Sequence, residues 1–183
     1  MAQRWRVNRR KDRKPRPPLD EESLRELGLT YVGRYATTRA KLSRYLHRKI
    51  YERGWDGEGE PPVEALAERF TELGYIDDAA FAESRARSLG NRGYGPRRVK
   101  EALWGAGIEE EDGFEAIIAA ESKAWNAAEI FARKRRIGPY AREELDLARK
   151  RKAMAAMLRA GHDIAIVRRF VDAEPGEVPE PPD

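Results

Sequence analysis

Three glycines constrain this chain most. Gly54, Gly107 and Gly161 each close an apolar helical stretch, and they stand 53 and 54 residues apart. Their settings match: Arg53-Gly54-Trp55, Ala106-Gly107-Ile108 and Ala160-Gly161-His162. Aligned on the glycines, Leu46, Val99 and Ala153 become equivalent, as do Ile50, Leu103 and Met157. Tyr51, Trp104 and Leu158 also coincide, and that recurrent apolarity favours packing between units, with Trp104 as a partner-contact residue the alternative. Period plus order predicts three copies of a three-helix unit. A unit of this size falls below the roughly 70–80 residues at which one core usually suffices. Adjacent units should therefore stack, with nearest-neighbour contacts supplying stability, into an elongated, curved, all-α rod.

Capping signals and punctuation place the helices. Thr38 is an N-cap candidate for a helix over 39–53, whose Leu42, Leu46 and Ile50 recur every four residues. Asp56 to Pro62 reads as a loop, and Val63, Leu66, Ala67, Phe70 and Leu73 form the next apolar face, ended by Gly74. Asp77 or Asp78 caps the following helix, and Pro96 restarts another at its first position. Phe114, Ile117 and Ile118 predict a short third helix. Further helices follow around Trp125 to Phe131, over 147–160, and around Ile164 to Val171. Nothing reads as a strand. The expected organisation is a basic disordered arm (1–19), repeats over 20–76, 77–121 and 122–172, and an acidic Pro-rich tail (173–183).

Charge is unevenly distributed. Of the net +4, residues 1–18 carry +7 and residues 172–183 carry −5. The high pI therefore belongs largely to the arm, where repulsion and three prolines oppose a helix. Charged residues make up 37% and hydrophobic ones 40%, which suits thin helical layers. The chain has no cysteine, which excludes disulfides, thiolate metal sites and cysteine nucleophiles. No apolar run approaches the roughly 18 residues of a membrane span. The start, with Arg9-Arg10 but no apolar stretch behind it, is not an export signal. A cytoplasmic protein is expected.

Catalytic patterns are missing. His47 and His162 lie in different repeats, and Arg44, Arg48 and Lys49 around His47 would repel a metal. No glycine-rich phosphate loop follows a strand. Adjacent Asp77 and Asp78 point about 100° apart on a helix, so capping explains them better than acid–base work. The reading is of a non-enzyme without cofactor. Basic faces remain. Between Glu83 and Glu101 stand six Lys/Arg against two acids, more than solubility needs. Arg97, Lys100 and Trp104 share one side of their helix, opposite Val99 and Leu103, while Arg85 and Arg92 stand seven apart on another. Arg133, Lys134, Arg135 and Arg136, then Arg149 and Lys150, repeat the feature in the third unit. Such faces on helices are usually only solvated; their density here points to phosphates or an acidic protein groove.

The stretch Gly74-Tyr75-Ile76-Asp77-Asp78, then Phe81-Ala82, is followed by an Arg-rich helix and Gly93-Tyr94-Gly95-Pro96-Arg97-Arg98-Val99. Leu103 and a terminal Gly107-Ile108 complete an ordered set that resembles the RecX family. The resemblance implies a regulator that binds RecA along the helical groove of its filament on single-stranded DNA. It would restrain recombination, ATP hydrolysis and LexA-cleavage co-activity. The implied contacts are Arg85, Arg92, Arg97, Arg98 and Lys100, with Gly74, Asp77, Asp78, Phe81, Gly93, Leu103 and Gly107 structural. A monomer is expected. The chief rival is a helical protein that holds single- or double-stranded DNA directly, and a third reading is a scaffold for some other protein.

Overall fold

The computed structural model describes residues 16–181. Among them are nine α-helices: α1 (Glu21–Val32), α2 (Arg39–Arg53), α3 (Val63–Glu72), α4 (Asp78–Asn91), α5 (Pro96–Ala106), α6 (Glu110–Ser122), α7 (Ala124–Arg135), α8 (Leu147–Arg159) and α9 (Ile164–Asp172). A 3-10 turn, Gly138–Tyr140, lies between α7 and α8. No strand forms among the described residues, apart from an isolated parallel bridge between Leu19 and Trp55.

Local chemistry sets the ends. Asp20 and Ser23 form a reciprocal capping box on α1, and Thr38, Asp77, Asp146 and Asp163 cap α2, α4, α8 and α9 through their side chains. Each capping oxygen accepts a backbone N–H that the helix itself cannot pair. Gly54, Gly107 and Gly161 follow the ends of α2, α5 and α8 at φ of +88°, +77° and +93°, a left-handed turn that only glycine makes without strain.

Burial falls into three separate cores, each drawn from three consecutive helices. Leu24, Leu42, Leu46, Val63, Ala67 and Phe70 fill the first. Ala82, Leu89, Val99, Leu103, Ala106 and Ala116 fill the second, and Ala128, Ala132, Met157, Val167, Phe170 and Val171 the third. Extensive helix contacts lie within these triplets or join α7 to α4 and α6; none joins α1–α3 to α7–α9. The molecule is all-α and elongated, a tandem array of helices.

Three expectations need correction. Leu19, assigned to the arm, is fully buried in the first core; its N–H donates to Gly54 O at 2.9 Å and its carbonyl accepts from Asp56 N–H. The helix expected from Phe114, Ile117 and Ile118 forms as α6 but is not short, at 13 residues; Ile117 packs against the second core, while Phe114 and Ile118 stand about half exposed because Gly113 and Ala116 face inward. Trp104 does not pack between units at all, as described below. The acidic tail touches the body: Arg169 donates to Glu180 O and Gly176 N–H to Pro139 O, both at 2.9 Å. The reading of a disordered basic arm falls, for residues 1–15, outside the described residues.

Candidate partner-binding face

The middle helices of the triplets run head to tail, and their junctions organise the surface. The N-terminal end of α2 meets the C-terminal end of α5. There Thr38 Oγ1, fully buried, donates to Ala106 O at 2.7 Å, and Arg44 reaches the carbonyls of Gly105 and Ala106 at 3.4 Å. Asp78 caps this junction rather than its own helix: its Oδ1 accepts Arg39 N–H at 3.0 Å. The N-terminal end of α5 meets α8 in the same manner. Gly95 N–H donates to Ala160 O at 2.9 Å, and Arg97 donates from its backbone to Gly161 O and from its guanidinium to Leu158 O at 2.6 Å. In both, a positive helix end faces a negative one. Arg44 and Arg97 are equivalent in the glycine-aligned register, a signal present in the sequence and missed there.

His162 sits buried at the second junction, where the other units carry Trp55 and Ile108. Its Nε2 lies 3.0 Å from Gly93 O, and since a carbonyl only accepts, Nε2 carries the proton. Nδ1 has no partner. Burial holds the imidazole down to about 4, partly opposed by the Gly93 carbonyl. Gly93 itself has φ of +86°, and a Cβ there would come within 2.9 Å of the Phe131 backbone N.

The expected contact residues divide by their neighbours. Arg98 pairs with Glu101 at 3.0 Å, Arg97 lies 3.8 Å from the same carboxylate, and Lys100 stands 3.9 Å from Glu121. In the third triplet Arg133 pairs with Glu129 at 2.7 Å, Arg149 with Glu143 at 2.7 Å and Lys150 with Glu144 at 3.5 Å. Lys134 donates to the carbonyls of Asn91 and Arg92, Arg135 stands over the Phe131 ring, and Arg136 takes the left-handed turn that ends α7. These pairs lie on a solvated surface, where their net effect is small. Among the described residues, Arg85 and Arg92 have no such carboxylate, and Arg92 instead covers the Tyr94 ring at 5.2 Å.

Arg85 belongs to a cluster that crosses the first junction. Lys41 Nζ stands 4.2 Å from the centre of the Phe81 ring. Burial, then the charges of Arg85 and Arg44, hold the Lys41 ammonium below the usual lysine range. Asp78 opposes this only weakly, and burial pushes its own carboxyl up. Sequence spacing could not reveal this group, because Lys41 and Arg85 come from different triplets. Phe81 thus packs beneath a cation as well as against the second core. Gly74 turns at φ of +74° after α3, Asp77 caps α4 through Ala80 N–H, and Leu103 is buried.

Two aromatic rings project freely. Trp104 is 84% exposed and Tyr51 92% exposed, at equivalent positions near the C-terminal ends of α5 and α2. Junction packing is made by the helix ends themselves, so neither ring is needed there. A cleft of about 330 Å³ between α4, α6 and α7 is walled by Ala86, Ala116, Ala120 and Ala127. Its rim balances Glu83 and Glu115 against Arg87 and Lys123, which gives it no preference for charge. Among the described residues, no group of three His, Cys, Asp or Glu converges as a metal site, and no helix is long and apolar enough to cross a membrane.

Residues 77–117, which span α4, α5 and most of α6, match the family model described as RecX, second three-helix domain. Over 178 residues the chain is 31% identical to the regulatory protein RecX of Myxococcus xanthus (strain DK1622), covering 92% of this chain and 95% of that one. The chain belongs to the RecX family. As a member of this family of regulatory proteins it is a regulator, not an enzyme. RecX from Lactobacillus salivarius has a similar fold, with a TM-score of 0.59 at 20% identity, covering 82% of this chain and 94% of that one. A second crystal structure of regulatory protein RecX gives a TM-score of 0.62 at 19% identity, over 83% and 71% of the two chains.

Proposed function

We propose that this chain binds the RecA filament on single-stranded DNA, along its helical groove, and modulates it, mostly as an inhibitor of recombination, ATP hydrolysis and co-protease activity. The observation that carries this reading is RecX kinship over 92% of the chain, junctions and basic helices included. The architecture supports it. It is all-α and elongated, and on this reading three tandem three-helix repeats, stacked as a curved rod, act as a cytoplasmic monomer that lies across several protomers. A ligand that touches several subunits at once gains affinity by multivalence. It also biases assembly against disassembly. Arg85 and Arg92, with no carboxylate at hand among the described residues, are the first contacts expected, and Arg97, Arg98 and Lys100 must exchange their present acids for a partner's.

Direct binding of nucleic acid is the second reading, favoured by the Lys41, Arg44 and Arg85 cluster. Retention on immobilised single-stranded DNA, with and without a RecA coat locked by a slowly hydrolysed nucleotide, separates the two. Filament binding predicts retention on the coated strand and little on the bare one at about 0.15 M salt. Equal retention on the bare strand, lost steeply as salt rises, would favour the DNA reading.

A further inference from the structure

Tyr51 and Trp104 are the most exposed large apolar side chains among the described residues. Exposed aromatics occur singly on many surfaces and need no explanation. These two occupy the same place in successive units, two residues before the last residue of the helix. Each is followed by its glycine cap, and each carries an arginine two turns before it, Arg44 and Arg97. One turn before Tyr51 stand His47 and Arg48, and one turn before Trp104 stands Lys100. Acids of this chain already engage these collars: Glu64 meets His47 and Glu52 meets Arg48 near Tyr51, while Glu101 faces Arg97 and Glu121 stands 3.9 Å from Lys100 near Trp104. In the third unit the equivalent residue, Leu158, packs against its own core instead.

We infer that Tyr51 and Trp104 are a pair of anchors that enter identical apolar slots, rimmed by carboxylates, on two successive subunits of a protein polymer. A repeated feature on the ligand calls for a repeated feature on the partner, and a single folded protein has no reason to present the same slot twice. The slots are assigned an acidic rim because the His47, Arg48 and Lys100 side chains, held by this chain's own acids in the free protein, can exchange them for carboxylates of the partner. The scale of separation is the length of α2, about 22 Å for a helix of 15 residues. Tryptophan and tyrosine are the side chains that most often dominate interfaces, since each buries a large rigid surface at small entropic cost.

The inference rests on the filament reading, and one set of measurements separates their failures. Trp104→Ala, Tyr51→Ala, the double variant and Trp104→Phe are compared with the unaltered protein for binding to RecA-coated single-stranded DNA, to the bare strand, and for thermal unfolding. Each alanine variant should lose roughly 30-fold in filament affinity, the size expected of an anchor. The double variant should lose more than either, Trp104→Phe should stay within roughly 3-fold, and the melting curves should coincide because neither ring supports a core. If the unaltered protein ignores the filament, the proposed function fails and the anchors fail with it. If it binds and the variants bind equally well, the anchors alone are overturned. If the variants lose affinity for the bare strand to the same degree, the rings stack on bases and the protein-slot assignment is overturned.

Discussion

Gly107 shows how little freedom a single position can have. Its φ of +77° strains any other residue, and an added Cβ would overlap the Ala40 side chain across the junction. Gly105, two residues earlier, has nothing among the described residues within 4 Å of such an atom. Gly107→Ala should therefore cost about 2 kcal/mol or more, while Gly105→Ala should be neutral or gain up to about 1 kcal/mol from helix propensity. Urea denaturation of the two variants checks this, and equal stabilities would contradict it. His162 gives a second test. Its folded value of about 4 lies below its ordinary 6.5, so the unfolded chain takes up a proton first as pH falls. Stability from this group is present above about pH 6.5 and drains away between there and about pH 4, by roughly 3 kcal/mol in all. Asp78, pushed upward by burial, acts in the opposite sense at the acid end. Denaturation at pH 7, 5.5 and 4.5 should lose this slope in His162→Leu; parallel curves for variant and unaltered protein would refute the assignment.

At the scale of elements, the junctions hold what the helices cannot. Thr38 serves two masters, accepting Lys41 N–H as the α2 cap and donating to Ala106 O of the next triplet. Thr38→Val keeps the shape and removes both bonds. A loss of about 2 kcal/mol is expected, or a fall in Tm of about 4–8 °C. Thr38→Ser should retain most of it, and a serine variant as unstable as the valine one would show that the methyl group, not the hydroxyl, matters. Helix ends were legible beforehand because glycine, proline and the capping residues write them locally. Thr38 could be named as a cap from its neighbours alone, and the cap of α4 could be narrowed to Asp77 or Asp78, of which Asp77 caps it. The role of Asp78 could not, since it accepts the N–H of Arg39 from another triplet. Trp104 misled for a related reason. Periodicity reports that a position recurs, and recurrence is produced by a shared partner outside the chain as readily as by a shared core. The Lys41, Arg44 and Arg85 cluster was illegible because only tertiary packing brings it together.

Over the whole molecule, separate small cores joined end to end explain why the chain can be long and thin at this length. Each core is small, so the polar junctions and the tie of Leu19 to Gly54 add to the integrity that the apolar interiors supply. The same construction leaves basic helices and two free aromatic rings along the outside, available to a partner that is itself repetitive. Whether that partner is the RecA filament decides the proposal. The direct test is single-strand-dependent ATP hydrolysis by RecA, titrated with this protein. The account predicts that hydrolysis falls as the protein is added, and that Arg85→Glu and Trp104→Ala each shift the curve to higher concentration. A rate that stays flat through a molar excess of the protein over RecA would contradict it.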